Sequence, residues 1–345
     1  MLEKTACPFL VALALSSALP APAETLLVAN KSDHTVDLID LESGRSRATL
    51  PTGRAPHEVA TSTDGRTAVI ANYGDRSMPG SSLTVVDVAT AKVLRTVTLD
   101  PHTRPHGVVF LTPDRVAVTT EGSAHLVIVD TTDGTIVNAI RTDQAVSHMV
   151  TVAAGRAFVA NIGSGTVTVL DLETGEKLGD VVTGDGAEGI AVTPDGKEIW
   201  VGNRAADTVT IIDPSSLEVR ASLPCPGFPI RVAITPDGRH ALVSAARSGE
   251  VVLFDIAERR EIRRAKLDLS TAPDAAQRLF GERFGDSPVP VGLVIAPRGD
   301  RAWVAATQAD AVVMIEPTTL AVIGALKAGK EPDGMAYSAL GATAE

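Results

Sequence analysis

A strand-and-turn pattern that recurs along the whole chain constrains the fold more than any other feature of this sequence. An apolar run such as TLLVAN at 25–30 is followed by a second run that ends in an acid, such as TVDLID at 35–40, and then by a turn and a third strand. Turns such as TPDG, at 193–196 and 235–238, mark a short opening strand before the first run. Short apolar runs rich in β-branched residues and bounded by turn residues predict strands. The recurring unit is therefore a four-stranded antiparallel meander.

The unit occurs seven times. Its opening strands begin near the following residues: His57, His106, His148, Glu188, Ile230, Val291 and Asp333. The chain starts inside a unit with three strands, and it ends on a lone opening strand, DGMAYSA. Pairing of these two ends would complete the seventh unit and close a ring. We therefore predict an all-β fold, a seven-bladed β-propeller of four-stranded antiparallel blades closed by the N- and C-terminal strands.

The N-terminal segment predicts export. Residues 9–19 form an apolar run, Lys4 precedes it and Ala-Pro-Ala follows it at 21–23. The run is too short to span a bilayer, and the pattern is typical of a secretory signal. We expect residues 1–23 to be a signal peptide and residues 24–345 to form a single propeller domain. The mature protein is then expected to be periplasmic or secreted, with no membrane anchor.

Composition and missing motifs exclude several partners and cofactors. The chain has 31 Lys and Arg against 42 Asp and Glu, a net charge of −11, and only 3% aromatic residues. A nucleic-acid binder is not expected, because it needs basic charge and stacking platforms. Cys7 falls in the signal segment, which leaves Cys225 alone, so neither covalent haem nor a four-cysteine metal site is expected. Without a phosphate-binding glycine loop, no nucleotide cofactor is expected either.

The repeat resembles the YVTN-type β-propeller family. The family motif, roughly TPDG…YVxN…VxVID, is matched by TPDGKEIWVGN…TVTIID at 193–213, and the resemblance extends over essentially all of residues 24–345. It implies the propeller fold. Some relatives look like lactonases and others like cytochrome d1-type domains, so the resemblance selects no single activity.

Two insertions predict the face that carries the function. In an up-and-down meander, the loops between strands 2 and 3 and between consecutive units lie on one face. The insertions at 73–82 and 269–290 both belong to this set, and long loops on a rigid scaffold often bind ligands. Apolar residues within 273–284 have the spacing of a short amphipathic helix, either a lid over the pocket or a helix outside the ring. This face also leaves room for a protein partner.

Histidines and charged residues recur where the units open. Of seven histidines, three take equivalent positions in consecutive units, namely His57, His106 and His148. Inner strands begin beside the central channel, so we expect these imidazoles to converge at its mouth. Imidazole and carboxylate are good ligands for divalent metals. We predict that His57, His106, His148 and Glu188 hold one divalent ion, with Zn, Cu and Fe not distinguished. The alternative is a histidine inherited with the repeat and without a function.

The same positions suggest an enzyme for a small anionic substrate. Glu188 would be the fourth ligand or a base, Asp333 would support the ligands, and Arg231 would orient the substrate. Further substrate contacts are expected from loop residues on the same face: Arg204, Arg247, Tyr73 and Asn161. Guanidinium groups suit carboxylates and phosphates. Lactone hydrolysis, lyase chemistry and metal redox chemistry stay open, as does a metal-free histidine base. The alternative function is a non-catalytic periplasmic propeller that binds a ligand or a protein.

Overall fold

The computed structural model describes residues 24–278 and 280–341. These residues form 28 strands in seven four-stranded antiparallel sheets, which are the blades of a propeller. The predicted fold class is therefore confirmed. The predicted signal peptide, residues 1–23, lies outside the described residues. Within the described part of the chain, no helix has both the length and the apolar character needed to cross a membrane.

The strands follow the chain from blade to blade, each blade running outward from the channel. The chain first forms the three outer strands of blade 7: β1 (Thr25–Asn30), β2 (Thr35–Asp40) and β3 (Arg45–Pro51). Blade 1 contains β4 (Pro56–Thr61), β5 (Thr67–Gly74), β6 (Pro79–Asp87) and β7 (Lys92–Thr98). Blade 2 contains β8 (Pro105–Thr112), β9 (Arg115–Thr120), β10 (His125–Asp130) and β11 (Ile136–Arg141). Blade 3 contains β12 (Ser147–Ala153), β13 (Arg156–Asn161), β14 (Thr166–Asp171) and β15 (Lys177–Val182).

The second half of the ring repeats this arrangement. Blade 4 contains β16 (Ala187–Val192), β17 (Ile199–Asn203), β18 (Thr208–Ile212) and β19 (Val219–Pro224). Blade 5 contains β20 (Pro229–Ile234), β21 (His240–Ala245), β22 (Glu250–Asp255) and β23 (Arg260–Lys266). Blade 6 contains β24 (Pro290–Ile295), β25 (Ala302–Ala306), β26 (Ala311–Ile315) and β27 (Val322–Lys327). The last strand, β28 (Pro332–Ser338), is the innermost strand of blade 7.

The two ends of the chain close the ring. Strand β28 pairs antiparallel with β1, with Thr25 opposite Ser338 and Leu27 opposite Ala336. The Thr25 hydroxyl also donates a hydrogen bond to the Leu340 carbonyl, at 2.6 Å. Closure by pairing of the terminal strands is thus confirmed.

The core lies between neighbouring blades. One cluster joins Leu26 and Val28 of β1 to Trp303 and Ala305 of β25, so that blade 7 packs on blade 6. The two central strands of each blade are almost wholly buried, whereas outer strands such as β7 alternate or face solvent. Small and β-branched side chains fill these interfaces, as the low aromatic content requires. The stacked blades hold the inner strands, and hence the channel residues, in fixed positions.

The two predicted insertions have different structures. At 73–82 the extra residues mostly extend β5 and β6, whose pairing reaches Gly74 opposite Pro79. At 269–290 the predicted amphipathic α-helix is wrong, because two 3₁₀ helices form instead, Ala275–Gln277 and Gly281–Phe284. Gly281 has a φ of 45°, a left-handed conformation that interrupts a regular helix. A Cβ at this position would lie 2.8 Å from the Ala276 carbonyl oxygen.

Candidate functional site

A cavity of about 210 Å³ lies where the inner strands begin. Its polar lining consists of Lys31, His57, Tyr73, His106, Glu121, His148, Glu188, Arg204, Arg231 and Asp333. Val146, Ile162, Ile230, Phe280 and Val291 supply apolar wall. Residues from both insertions, Tyr73 and Phe280, reach this one cavity.

The starts of the inner strands explain which side chains reach the centre. The second residue of each inner strand is His57, His106, His148, Glu188, Ile230, Val291 or Asp333. Arg231 in blade 5 and Gly292 in blade 6 stand one residue later. At that later position most blades have glycine. A Cβ on Gly334 would lie 2.3 Å from the His57 carbonyl oxygen, so adjacent inner strands approach too closely there for a side chain.

Two blades replace this glycine with a charged residue, and both side chains enter the centre of the ring. Glu58 follows His57 in blade 1, and Arg231 takes the same place in blade 5. The two are paired across the channel through Arg231 Nη2 and Glu58 Oε1. Glu58 was not among the site residues predicted from the sequence. The repeat alignment could have indicated it, because a glutamate stands there where most other repeats have glycine.

The three predicted histidines come together. The ring centroids of His106 and His148 are 3.6 Å apart, and those of His57 and His106 are 5.1 Å apart. The Nδ1 atom of His57 lies 2.9 Å from the Ala55 carbonyl oxygen. If it donates this hydrogen bond, Nε2 of His57 is left as the free ring nitrogen. Nδ1 of His106 is buried and has no hydrogen-bond partner among the described residues, and the residue is only 2% exposed.

His148 lies between two carboxylates. Its Nδ1 is hydrogen-bonded to Glu121 Oε1, and its Nε2 is 3.2 Å from Glu188 Oε1. The Tyr73 hydroxyl donates to the other oxygen of Glu121 at 2.6 Å. Glu121 was not among the predicted ligands, although it follows directly on β9 at this rim.

Among residues 24–278 and 280–341, one group of ligand atoms is compact enough for a metal ion. Atoms of His106, Glu121 and His148 all lie within 4.8 Å of one another. Of the four predicted ligands, His106 and His148 belong to this group, and His57 stands next to it. Glu188 is placed differently, because its carboxylate faces His148, Arg204 and Arg231.

Burial and charge set the protonation of the histidines. Burial lowers the pKa of His57 to about 4, although Asp333 acts in the opposite direction. Burial, reinforced by His148 and His57, holds the pKa of His106 well below its usual value. Burial also acts to lower the pKa of His148, but Glu188 and Glu121 outweigh it and raise that pKa. His57 and His106 are therefore neutral at pH 7, which is the form that binds a metal. The raised pKa of His148 favours its protonated form, so this residue would have to release a proton on binding an ion.

Arg231 connects the carboxylates of the channel. Its Nη1 lies 3.2 Å from Glu188, and its Nη2 contacts Glu58 and lies 4.0 Å from Asp333. Lys31 Nζ lies 3.4 Å from the other oxygen of Asp333. Burial acts to raise the pKa of Glu188, but Arg204, His148 and Arg231 lower it to about 2. Glu188 is thus ionised and surrounded by cations, which makes it a weak proton acceptor.

The predicted substrate-binding residues divide into two groups. Tyr73, Arg204 and Arg231 line the cavity, but Asn161 and Arg247 do not. Asn161 is fully buried in blade 3, where its amide donates to Thr168 Oγ1 at 2.9 Å. Arg247 is exposed at the rim, 3.5 Å from Asp207.

Comparison with known proteins agrees with this architecture. Residues 112–279 match the YNCE-like beta-propeller family. The predicted kinship with propeller-repeat proteins is confirmed, and the YNCE-like segment includes the complete blades 3, 4 and 5. No curated protein matches the sequence significantly.

Solved structures share the propeller fold at low sequence identity. Hydrazine synthase of Kuenenia stuttgartiensis superposes with a TM-score of 0.70 and 18% identity, over 91% of this chain and all of that one. A protein of unknown function from Desulfotomaculum acetoxidans superposes with a TM-score of 0.75 and 12% identity, over 91% of this chain and 98% of that one. A protein described as a candidate 6-phosphogluconolactonase from Bacteroides fragilis superposes with a TM-score of 0.69 and 13% identity, over 93% of this chain and 99% of that one. These likenesses show the propeller fold over nearly the whole chain.

Proposed function

We propose that this protein is a periplasmic metal-dependent enzyme that acts on a small anionic substrate in the channel cavity. The group formed by His106, Glu121 and His148 carries the proposal, because one ligand atom from each residue lies within 4.8 Å of the other two. Within the described chain, Nδ1 of His106 is also buried without a hydrogen-bond partner, and a bound ligand would satisfy such an atom.

The residues fit a divalent ion of the zinc type. Two imidazoles and a carboxylate match its ligand preferences, and three protein ligands leave a position open for substrate. Glu188 Oε1 is 3.2 Å from His148 Nε2. Glu188 would therefore not bind the ion itself but would accept a hydrogen bond from the metal-bound imidazole of His148 and orient it. When bound, the ion would polarise a carbonyl group or activate a water.

Other residues suit substrate handling. Lys31 and Arg204 bring positive charge to the cavity wall, and Arg204 is the more accessible of the two. His57, half-buried at the cavity, is neutral and is suited to hydrogen-bond the substrate, whereas its pKa of about 4 makes it a weak proton acceptor at pH 7. One structural neighbour is described as a candidate lactonase, so ring opening of lactones is the reaction to test first.

A metal-loading experiment tests the proposal. We expect the wild-type protein, stripped with a chelator and titrated with zinc, to bind about one ion per chain. His106→Ala should weaken binding more than about a hundredfold, since loss of an outer partner alone costs up to about that much. The metal content is measured by elemental analysis, and lactone hydrolysis is followed by proton release.

The matched control is His240→Ala in β21, outside the lining of the cavity. It should keep both the metal and the activity. Turnover by chelated protein would contradict the metal and favour a metal-free histidine base. A protein that takes up zinc but acts on no lactone would contradict the reaction class, and would favour a binding propeller.

A second test concerns export. Strand β1 begins at Thr25, so cleavage after Ala23 would leave the first strand intact. Glu24 would become the N-terminal residue, with its carboxylate 2.8 Å from Arg298. We expect mass spectrometry of periplasmic protein to show a chain that starts at or near Glu24. A full-length chain with Met1 in the cytoplasmic fraction would contradict this expectation.

A further inference from the structure

Three arginines surround a pair of phenylalanines at the rim of the channel. The guanidinium carbons of Arg204, Arg247 and Arg283 lie 5.2, 5.2 and 5.8 Å from the ring centroid of Phe228. Those of Arg247 and Arg283 are also 6.0 and 5.6 Å from the ring of Phe284. Three cations therefore meet on one small aromatic platform.

The members of this cluster come from separate loops. Arg204 and Arg247 follow β17 and β21, Phe228 precedes β20, and Arg283 with Phe284 belongs to the insertion between β23 and β24. Phe228 and Phe284 are only 4% and 6% exposed, with ring centroids 5.1 Å apart. The insertion thus packs its phenylalanine on the ring and adds a third arginine to the rim.

Two described carboxylates near the cluster, Glu188 and Asp207, already have partners. Glu188 binds Arg204 at 2.6 Å and also serves Arg231 and His148. Asp207 lies 3.5 Å from Arg247 at an exposed site, and its other oxygen accepts the Phe228 backbone N–H at 2.8 Å. Exposed ion pairs of this length contribute little. Stacking on a ring leaves the N–H edge of a guanidinium open to an oxyanion.

The cluster continues into the cavity. Arg204 and Phe280 line the cavity, and the Phe280 ring stacks on Phe284 at 4.8 Å between centroids. We propose that Arg204, Arg247 and Arg283 form a subsite for the dianionic part of the substrate, either one phosphate group or two carboxylates. The rest of the ligand then extends past Phe280 toward His106.

This inference rests on the proposed function for its substrate, which becomes a small polar molecule with a dianionic end, such as a phosphate ester or a dicarboxylate. A dianion suits the subsite better than a single carboxylate, because three guanidinium groups can each donate to its oxygens. The subsite itself needs no metal, so it can be examined apart from the catalytic centre.

The test is calorimetric titration of chelator-treated protein with inorganic phosphate, succinate and acetate at low ionic strength. We expect saturable binding of one phosphate or succinate per chain and much weaker binding of acetate. Arg247→Gln combined with Arg283→Gln should weaken phosphate binding by at least about tenfold, because charged hydrogen bonds are lost. The matched control combines Arg95→Gln with Arg263→Gln and removes the same charge from the outer strands β7 and β23. It should change the affinity for phosphate less than about twofold.

The outcomes separate this subsite from the metal centre. Absence of saturable phosphate and succinate binding by the wild-type protein would overturn the subsite. Equal phosphate binding by the rim variant and the control would overturn it too, provided both keep the wild-type melting temperature. Phosphate binding by a protein that takes up no zinc would retain the subsite and reject the metal enzyme. Zinc uptake without anion binding would retain the metal centre and reject the subsite.

Discussion

Deletion of residues 332–345 is expected to abolish the folded monomer. The deletion removes β28, so the whole inner edge of β1 loses its partner and Met335 leaves the interface with blade 6. It also removes Asp333, the carboxylate that faces buried Lys31. The newly exposed inner edge of β1 favours aggregation, and the ring is no longer closed. We expect the free energy of unfolding to fall by more than about 5 kcal/mol, which is the lower end of the stability of ordinary domains.

Circular dichroism, size-exclusion chromatography and urea titration measure this effect. The matched control is a deletion of residues 342–345 alone, which leaves β28 in place. The control should unfold at the wild-type urea concentration. A monomeric 1–331 chain with wild-type stability would disprove closure by the terminal strands.

Replacement of Arg231 by Met is expected to be the most destabilising single substitution in the channel. It leaves Glu58, Glu188 and Asp333 without their shared cation, at positions that are 7, 2 and 4% exposed. Removal of one partner from a buried ion pair costs about 3–5 kcal/mol. Exposed Arg95 in β7 offers the control, and Arg95→Met should change stability by less than about 0.5 kcal/mol.

The pH dependence of this variant has a definite sign. Burial already raises the pKa of Glu58, and Arg231 opposes that rise. Without the arginine, the folded-state pKa of Glu58 moves further above its unfolded value. Proton uptake then stabilises the folded variant below the unfolded pKa, and this benefit disappears as the pH rises through the folded pKa. Urea titrations should therefore show a smaller deficit near pH 5 than near pH 8, and a pH-independent deficit would contradict the explanation.

A second substitution tests why Arg231→Met loses stability. Arg231→Met combined with Glu58→Leu removes both members of the pair across the channel. Replacing a buried ion pair by apolar side chains is often nearly neutral, so the double variant should recover part of the stability. If it is less stable than Arg231→Met, the cost arises from lost packing and not from unpaired charge.

The repeat made the scaffold predictable from the sequence. Strand periodicity and turn residues recur in register, so the openings at His57, His106 and His148 could be aligned without a structure. Ring closure followed because the chain ends supply three strands and one strand of the same unit. Asn161 shows the limit of this reasoning, since the repeat register places its backbone at the rim while its side chain is buried in the blade.

Local periodicity was enough to predict the seven blades, their closure and the positions where the inner strands begin. The contacts between particular side chains depend on the folded ring. Glu58 and Arg231 are 173 positions apart and belong to different blades, yet they pair across the channel. Such contacts depend on the width of the closed ring and on the need to neutralise buried charge. Neither quantity is written in the repeat, so the partners of Arg231, His148 and the rim arginines became visible only in the folded ring.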